Sequence, residues 1–195
     1  MLKASEIEHL RSWLLEMQKH WLIYHNHKET SAWLAIAAYG VFIVGLANAG
    51  LHVTGNRILL AAFTVLVVAI ATGFLLFVRR QLGLRRTGGL LTTTAGRVQT
   101  NLFRESFRES LTETDLDRNV IPEEKGSIVW WLLRVRYQKP DGKWPKVFRD
   151  EFKRTVKDRE GEKNRHLLEA FPQLLIVLGT IAYVVALWLC YCGVE

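Results

Sequence analysis

Charge is missing from three long stretches of this 195-residue chain: Ala32 to Leu51, Ile58 to Val78 and Phe171 to Gly193, runs of 20, 21 and 23 residues, hold no Asp, Glu, Lys, Arg or His. Crossing ~30 Å of hydrocarbon takes about 20 helical residues, so each run is long enough to span a bilayer. The same absence removes whole function classes. A proton relay, an ion-coupled transporter or an intramembrane metal enzyme needs ionisable groups inside the membrane, and these runs supply none. Cysteine is scarce as well, with two residues, which excludes a disulfide-stapled scaffold. Four prolines in the whole chain exclude a collagen-like or proline-rich low-complexity protein. No Gly-x-Ser-x-Gly, Walker loop, dinucleotide fingerprint or cysteine-rich zinc pattern occurs. The first run begins at residue 32 and is followed six residues later by another, which is the pattern of a membrane hairpin rather than of a cleaved signal.

What charge there is lies in one place. The chain carries 26 Lys+Arg against 19 Asp+Glu, net +7, and all of that excess falls between residues 79 and 170. Arg79, Arg80, Arg85 and Arg86 follow the second run, whereas the six-residue connection before it offers Arg57 alone. The positive-inside rule therefore predicts a cytosolic N-terminus, a cytosolic loop over 79–170 and an outer C-terminus. Trp33 and Tyr39 in the first run and Trp188 and Tyr191 in the third occupy places expected of interfacial anchors. Cys190 and Cys192, two apart on a helix, point about 200° apart, which disfavours a bridge between them and leaves an intermolecular one in an oxidising periplasm as the alternative.

The segment 1–31 reads as an amphipathic helix. Ser5 and Glu8 have capping-box spacing, and Ile7, Leu10, Leu14, Met17, Trp21 and Tyr24 recur three and four apart. That stripe suits the membrane surface or a partner helix. His9, His20, His25 and His27 cluster here without the spacing of a metal site, so no metal or other cofactor is expected. Within the spans, Ala37, Val41, Gly45 and Ala49 form a ladder of small side chains, and Ala69 and Gly73 form a second pair. Small residues let membrane helices approach closely. Asn48 is the strongly polar side chain of the first span and could line a pore or bond across a helix interface. Gly45, Asn48, Ala49 and Gly73 are accordingly the expected pore or helix-packing positions.

Residues 79–170 predict a small basic α+β domain. Arg79 to Gly89 reads as a glycine-containing juncture, followed by an amphipathic helix with Val98, Leu102, Phe103, Phe107 and Leu111 on one face. The β-branched and aromatic stretch 126–137 and the Pro140-Asp141-Gly142 turn predict a strand pair. Phe148, Phe152 and Val156, after Pro145, predict a last helix. Fold class and domains follow: an all-α membrane protein with an N-terminal helix (1–31), spans 32–51 and 58–78, a basic α+β cytosolic domain (79–170) and a third span (171–193).

Arginines and lysines beside a bilayer meet anionic lipid headgroups. The sharper alternative is an anionic nucleotide or RNA gripped by Arg134, Arg136, Lys139, Lys143 and Lys146 with stacking on Trp130, Trp131, Trp144, Phe148 and Phe152. Arg79, Arg80, Arg85 and Arg86 belong to the same set of headgroup or anion contacts. Asp141, Glu151 and Lys153 match the letters of a nuclease metal site, but Glu151 sits in a helical pattern rather than on a sheet. Arg159 and His166 loosely match the pairing of helical RNases, a pattern frequent by chance in a basic chain. No catalytic residue is expected.

In layout, three spans with a basic cytosolic domain, the chain resembles the small multi-span membrane effectors of bacterial antiphage defence, CRISPR-associated or nucleotide-signalling. The resemblance carries over no site residues. It implies a protein that perturbs the inner membrane of an infected bacterial cell when triggered, and the small-residue spans without ionisable groups, with the regulatory mass on one side, favour a homo-oligomeric, gated pore. The alternatives are a scaffold that recruits a cytosolic protein partner and a membrane-tethered nuclease.

Overall fold

The computed structural model describes residues 2–51, 56–120, 143–160 and 165–192. In chain order its elements are α1 (Ala4–Leu51), α2 (Arg57–Leu102), α3 (Glu105–Ser110), a 3-10 turn (Glu113–Leu116), β1 (Arg118–Val120), β2 (Lys143–Pro145), α4 (Lys146–Glu160) and α5 (Arg165–Cys192). Three of them, α1, α2 and α5, carry stretches long and apolar enough to cross a membrane. The chain divides into two compact units, one of residues 1–28 and 83–164, the other of 29–82 and 165–195.

Two expectations about element boundaries change. The glycine-containing juncture 79–89 is helical, part of the 46 continuous residues of α2. Glycine inside a helix costs about 1 kcal/mol relative to alanine, so packing must compensate for it here. The compensation is visible within the first unit: a Cβ at Gly88 would lie 3.2 Å from both the Trp21 carbonyl oxygen and the His25 Cβ, because α1 and α2 press together at this point. The second change concerns the helix start. The Lys3 backbone N–H donates to the Glu6 carboxylate at 2.8 Å, while Glu8 pairs weakly with Arg11 at 3.9 Å. Lys3 and Glu6 thus do the capping that Ser5 and Glu8 were expected to do.

The first unit is mainly helical. Its core joins Leu10 and Leu14 of α1, Leu90, Leu91, Ala95 and Val98 of α2, and Phe148, Phe152 and Val156 of α4. The expected α+β character does not appear among the described residues: β1 and β2 have three residues each and pair antiparallel, with Asn119 opposite Trp144. The physical reason is that the apolar residues entering this core recur at helical spacing on all three long elements. The stretch expected to form strands, 126–137, and its turn at 140–142 lie outside the described residues.

The stripe on α1 has an intramolecular use. Leu10 and Leu14 are fully enclosed, and Ile7, Trp13, Met17 and Trp21 pack against the same core. That face is therefore not presented to a membrane surface or a partner helix. Trp144 sits edge-on to Phe148 with ring centroids 5.0 Å apart, and Trp13 meets the same ring at 5.5 Å.

The second unit brings together α1 from residue 29, α2 up to residue 82, and α5. Polar side chains tie these three segments to one another. The Tyr39 hydroxyl donates to Thr180 at 2.5 Å, since the Thr180 proton goes to the Ile176 carbonyl. Tyr183 donates to the Leu46 carbonyl at 2.7 Å, and the Trp188 indole N–H to Thr64 at 3.2 Å. Tyr39 is thus a buried tertiary contact rather than an interfacial anchor. In hydrocarbon these groups have no water to turn to, so pairing them satisfies a demand that lipid cannot meet.

Candidate functional site

The membrane-spanning runs position the first set of expected residues. Gly45 on α1 and Gly73 on α2 do not pack one helix of the chain against another. A Cβ built on either meets nothing within 4 Å, and the same holds at Gly40. Ala37, Val41 and Gly45 of the small-residue ladder are all exposed, so this ladder lies on the outer surface of the three-helix unit. The side chains of Asn48 and Ala49 lie outside the described residues. Among the described residues exposed along the three runs, Thr72 is the one that carries a hydroxyl, and it donates back to the Val68 carbonyl at 2.8 Å.

The basic residues separate into groups. Arg80 is exposed, and Arg79 is half-buried at the end of the second span. Arg79, Arg85 and Arg86 are already engaged in contacts within the chain. Arg134, Arg136 and Lys139, with Trp130 and Trp131, lie outside the described residues, and of Lys143 only the strand position is described. Lys146 is 3.3 Å from Asp115. Trp144, Phe148 and Phe152, expected to stack on a ligand, are buried in the core of the first unit. Their rings therefore present no face to an incoming base.

Two polar arrangements in the first unit had no sequence signal. Arg97 of α2 reaches Asp158 at 2.6 Å and Glu151 at 3.7 Å, both on α4. The hydrogen bond that Arg97 donates to Asp158 holds its guanidinium more firmly charged than usual. Thr93, Thr100, Asn101 and Glu151 border an open groove of about 480 Å³ beside it. Glu151 also lies 3.8 Å from Arg154. A carboxylate held between two guanidiniums on a helix is a structural partner, and Asp141, the other carboxylate of the nuclease pattern, lies outside the described residues. Nearby, Arg159 donates to Thr93 at 3.0 Å. The other arrangement is at the α1–α2 crossing, where His25 Nδ1 donates to the Arg85 carbonyl oxygen at 2.8 Å. Each pairing joins residues about 60 positions apart, which periodicity cannot reveal.

At Asp115 the backbone N–H of Thr112 donates to the carboxylate at 3.0 Å and its hydroxyl at 2.8 Å. These bonds, then Lys146, hold its pKa below the ordinary carboxylate value. A depressed folded-state pKa contributes stability that is present at neutral pH and is lost as pH falls through the folded value. We expect Asp115→Asn to flatten the loss of stability between about pH 5 and pH 2, measured by denaturant midpoints across that range. An unchanged acid limb would show that Asp115 is not the titrating group.

No family model, curated protein or solved structure matches this chain. The class supported by the fold is a membrane protein with three helices able to span a bilayer.

Proposed function

We propose that this chain is a homo-oligomeric effector of the bacterial inner membrane, with its N-terminus and residues 79–170 in the cytosol and its C-terminus in the periplasm. The observation that carries the reading is the outward ladder of small residues on α1, together with Gly73 on α2, where added side chains would meet nothing. Small side chains on a lipid-facing surface leave room for a close helix approach from another copy, which is how membrane helices associate in the absence of a hydrophobic gradient. Exposed Arg80 and its neighbour Arg79 meet anionic headgroups at the cytosolic boundary. If copies enclose a pore, its wall is built from apolar side chains, which gate by dewetting.

The test is the mass of the purified full chain in nanodiscs, with membrane potential followed in cells that express it. The expected outcome is a defined oligomer and depolarisation, both diminished in a Gly45→Leu, Gly73→Leu double variant. A monomer that leaves the potential intact would sink this proposal. One observation favours a second reading, a membrane scaffold for a cytosolic partner: the exposed residues of the described spans offer Thr72 as their one hydroxyl, and it is already used within its helix. An oligomer that leaves the potential intact favours that reading.

A further inference from the structure

A recess in the first unit serves neither its core nor the contacts proposed for the spans. Its volume is about 310 Å³, at the small end of ligand pockets. Leu10 and Trp13 of α1 line it, with Leu116 of the 3-10 turn and Pro145 of β2. Each of these is held in place by the chain itself. Leu10 belongs to the core, and Trp13 packs against Phe148. Pro145 is paired with Arg118 in the two-stranded ladder. Leu116 sits in a turn clamped by the reciprocal bonds of Thr112 and Asp115, and Asp115 meets Lys146, the residue after Pro145. The apolar walls are therefore preformed, and a ligand that fills them pays little for ordering the protein.

Ser5, Glu6 and His9 complete the lining from the first turns of α1. Glu6, His9 and Trp13 recur three and four apart, so they share one face of the helix. Glu6 is half-buried, and its carboxylate accepts the Lys3 backbone N–H at 2.8 Å through Oε2, which fixes its position. Among the described residues its other oxygen, Oε1, has no hydrogen-bond or ion-pair partner. No lysine or arginine lines the recess. A fixed carboxylate beside an apolar hollow favours a cation carried on an apolar body and repels a carboxylate or phosphate. We infer that this recess binds a small aromatic amine. The ring occupies the space bounded by Leu10, Trp13, Leu116 and Pro145, and the ammonium donates to Glu6. Ser5 and His9 offer further hydrogen-bonding groups to the same end of the ligand. Every lining residue belongs to the first unit, so the inference stands apart from the oligomeric reading.

The test uses the full chain in nanodiscs, labelled with 5-fluorotryptophan, the Trp13 fluorine resonance being assigned with Trp13→Phe. The probes are phenethylamine, the neutral 2-phenylethanol and the anionic hydrocinnamate, which share one ring and differ in charge. Phenethylamine is expected to shift the Trp13 resonance saturably, with 2-phenylethanol about tenfold weaker and hydrocinnamate weaker still. Glu6→Gln keeps an oxygen for the Lys3 N–H but removes the charge, and is expected to bring the amine to within about twofold of the alcohol. Ser5→Phe fills the recess from an exposed position and is expected to abolish the shift by both. Thermal unfolding of each variant checks that the fold is intact. The inference is overturned if the Trp13 shift grows linearly without saturation, which is partition into lipid. It is also overturned if the three probes bind alike, or if Glu6→Gln leaves the preference for the amine unchanged.

Discussion

Leu14→Asp is expected to unfold the first unit, while Leu15→Asp leaves it folded. The two residues are neighbours on α1, yet Leu14 is 0% exposed and Leu15 39%. Truncating a fully enclosed leucine to alanine costs about 2–5 kcal/mol. An aspartate adds an unpaired buried charge, and the sum approaches the whole stability of a domain of this size, about 5–15 kcal/mol. At Leu15 the change costs about 1 kcal/mol or less, chiefly helix propensity. Denaturant unfolding followed by tryptophan fluorescence reads the difference, because Trp13 and Trp144 both stack on Phe148 in this core. Equal midpoints for the two variants would mean that α1 does not complete the unit. A corollary follows for fragments: residues 79–170 expressed alone lack Leu10 and Leu14 and are expected to be insoluble or molten.

The second large effect is expected at Gly88. Glycine to alanine inside a helix ordinarily gains about 1 kcal/mol. At Gly88 the sign reverses, because the new Cβ meets the Trp21 carbonyl oxygen at 3.2 Å and the His25 Cα at 3.3 Å. Both are backbone atoms of α1 and cannot swing aside as a flexible side chain would. Overpacking of this kind costs about 1–3 kcal/mol for alanine, and Gly88→Leu forces the helices apart. Separation would also break the bond from His25 to the Arg85 carbonyl. Gly40→Ala is the matched control, since nothing lies within 4 Å of its Cβ. If Gly88→Ala raises the melting temperature as Gly40→Ala does, the close approach is not tight in solution.

The spans were legible because length and apolarity are local properties: 20 uncharged residues announce themselves whatever surrounds them. The amphipathic stripe on α1 was equally legible as a pattern, but a pattern does not say what covers it. Leu14 and Met17 looked ready for a partner, and the chain itself supplies one some 75 residues later, at Leu90 and Leu91. Glycines 88 and 89 read as a break because glycine is a poor helix former in isolation, whereas a close crossing needs the side chain to be missing. The aromatic residues of α4 stood among lysines and arginines in the sequence, and helical periodicity turned their rings inward and left the charges outside. Gly45 and Gly73 were legible as small residues; which surface they serve depends on the inner face being taken by Tyr39, Thr64 and Thr180.

The first unit is assembled from two pieces of chain with a membrane hairpin between them in the sequence, and this sets a timetable during synthesis. Residues 1–28 leave the ribosome first, but their buried face fits a surface that exists only once Phe148 and Phe152 have been made. At about 5–20 residues per second, that wait is on the order of ten seconds, and both hairpin spans emerge in the interval. For that time Leu10 and Leu14 are a greasy ribbon open to chaperones, to the bilayer or to a neighbouring nascent chain. A hairpin in which one span failed to insert would leave the two halves in different compartments, and the ribbon would never be covered. Correct topology thus becomes a precondition of folding, and a misinserted copy carries its own exposed mark for proteolysis.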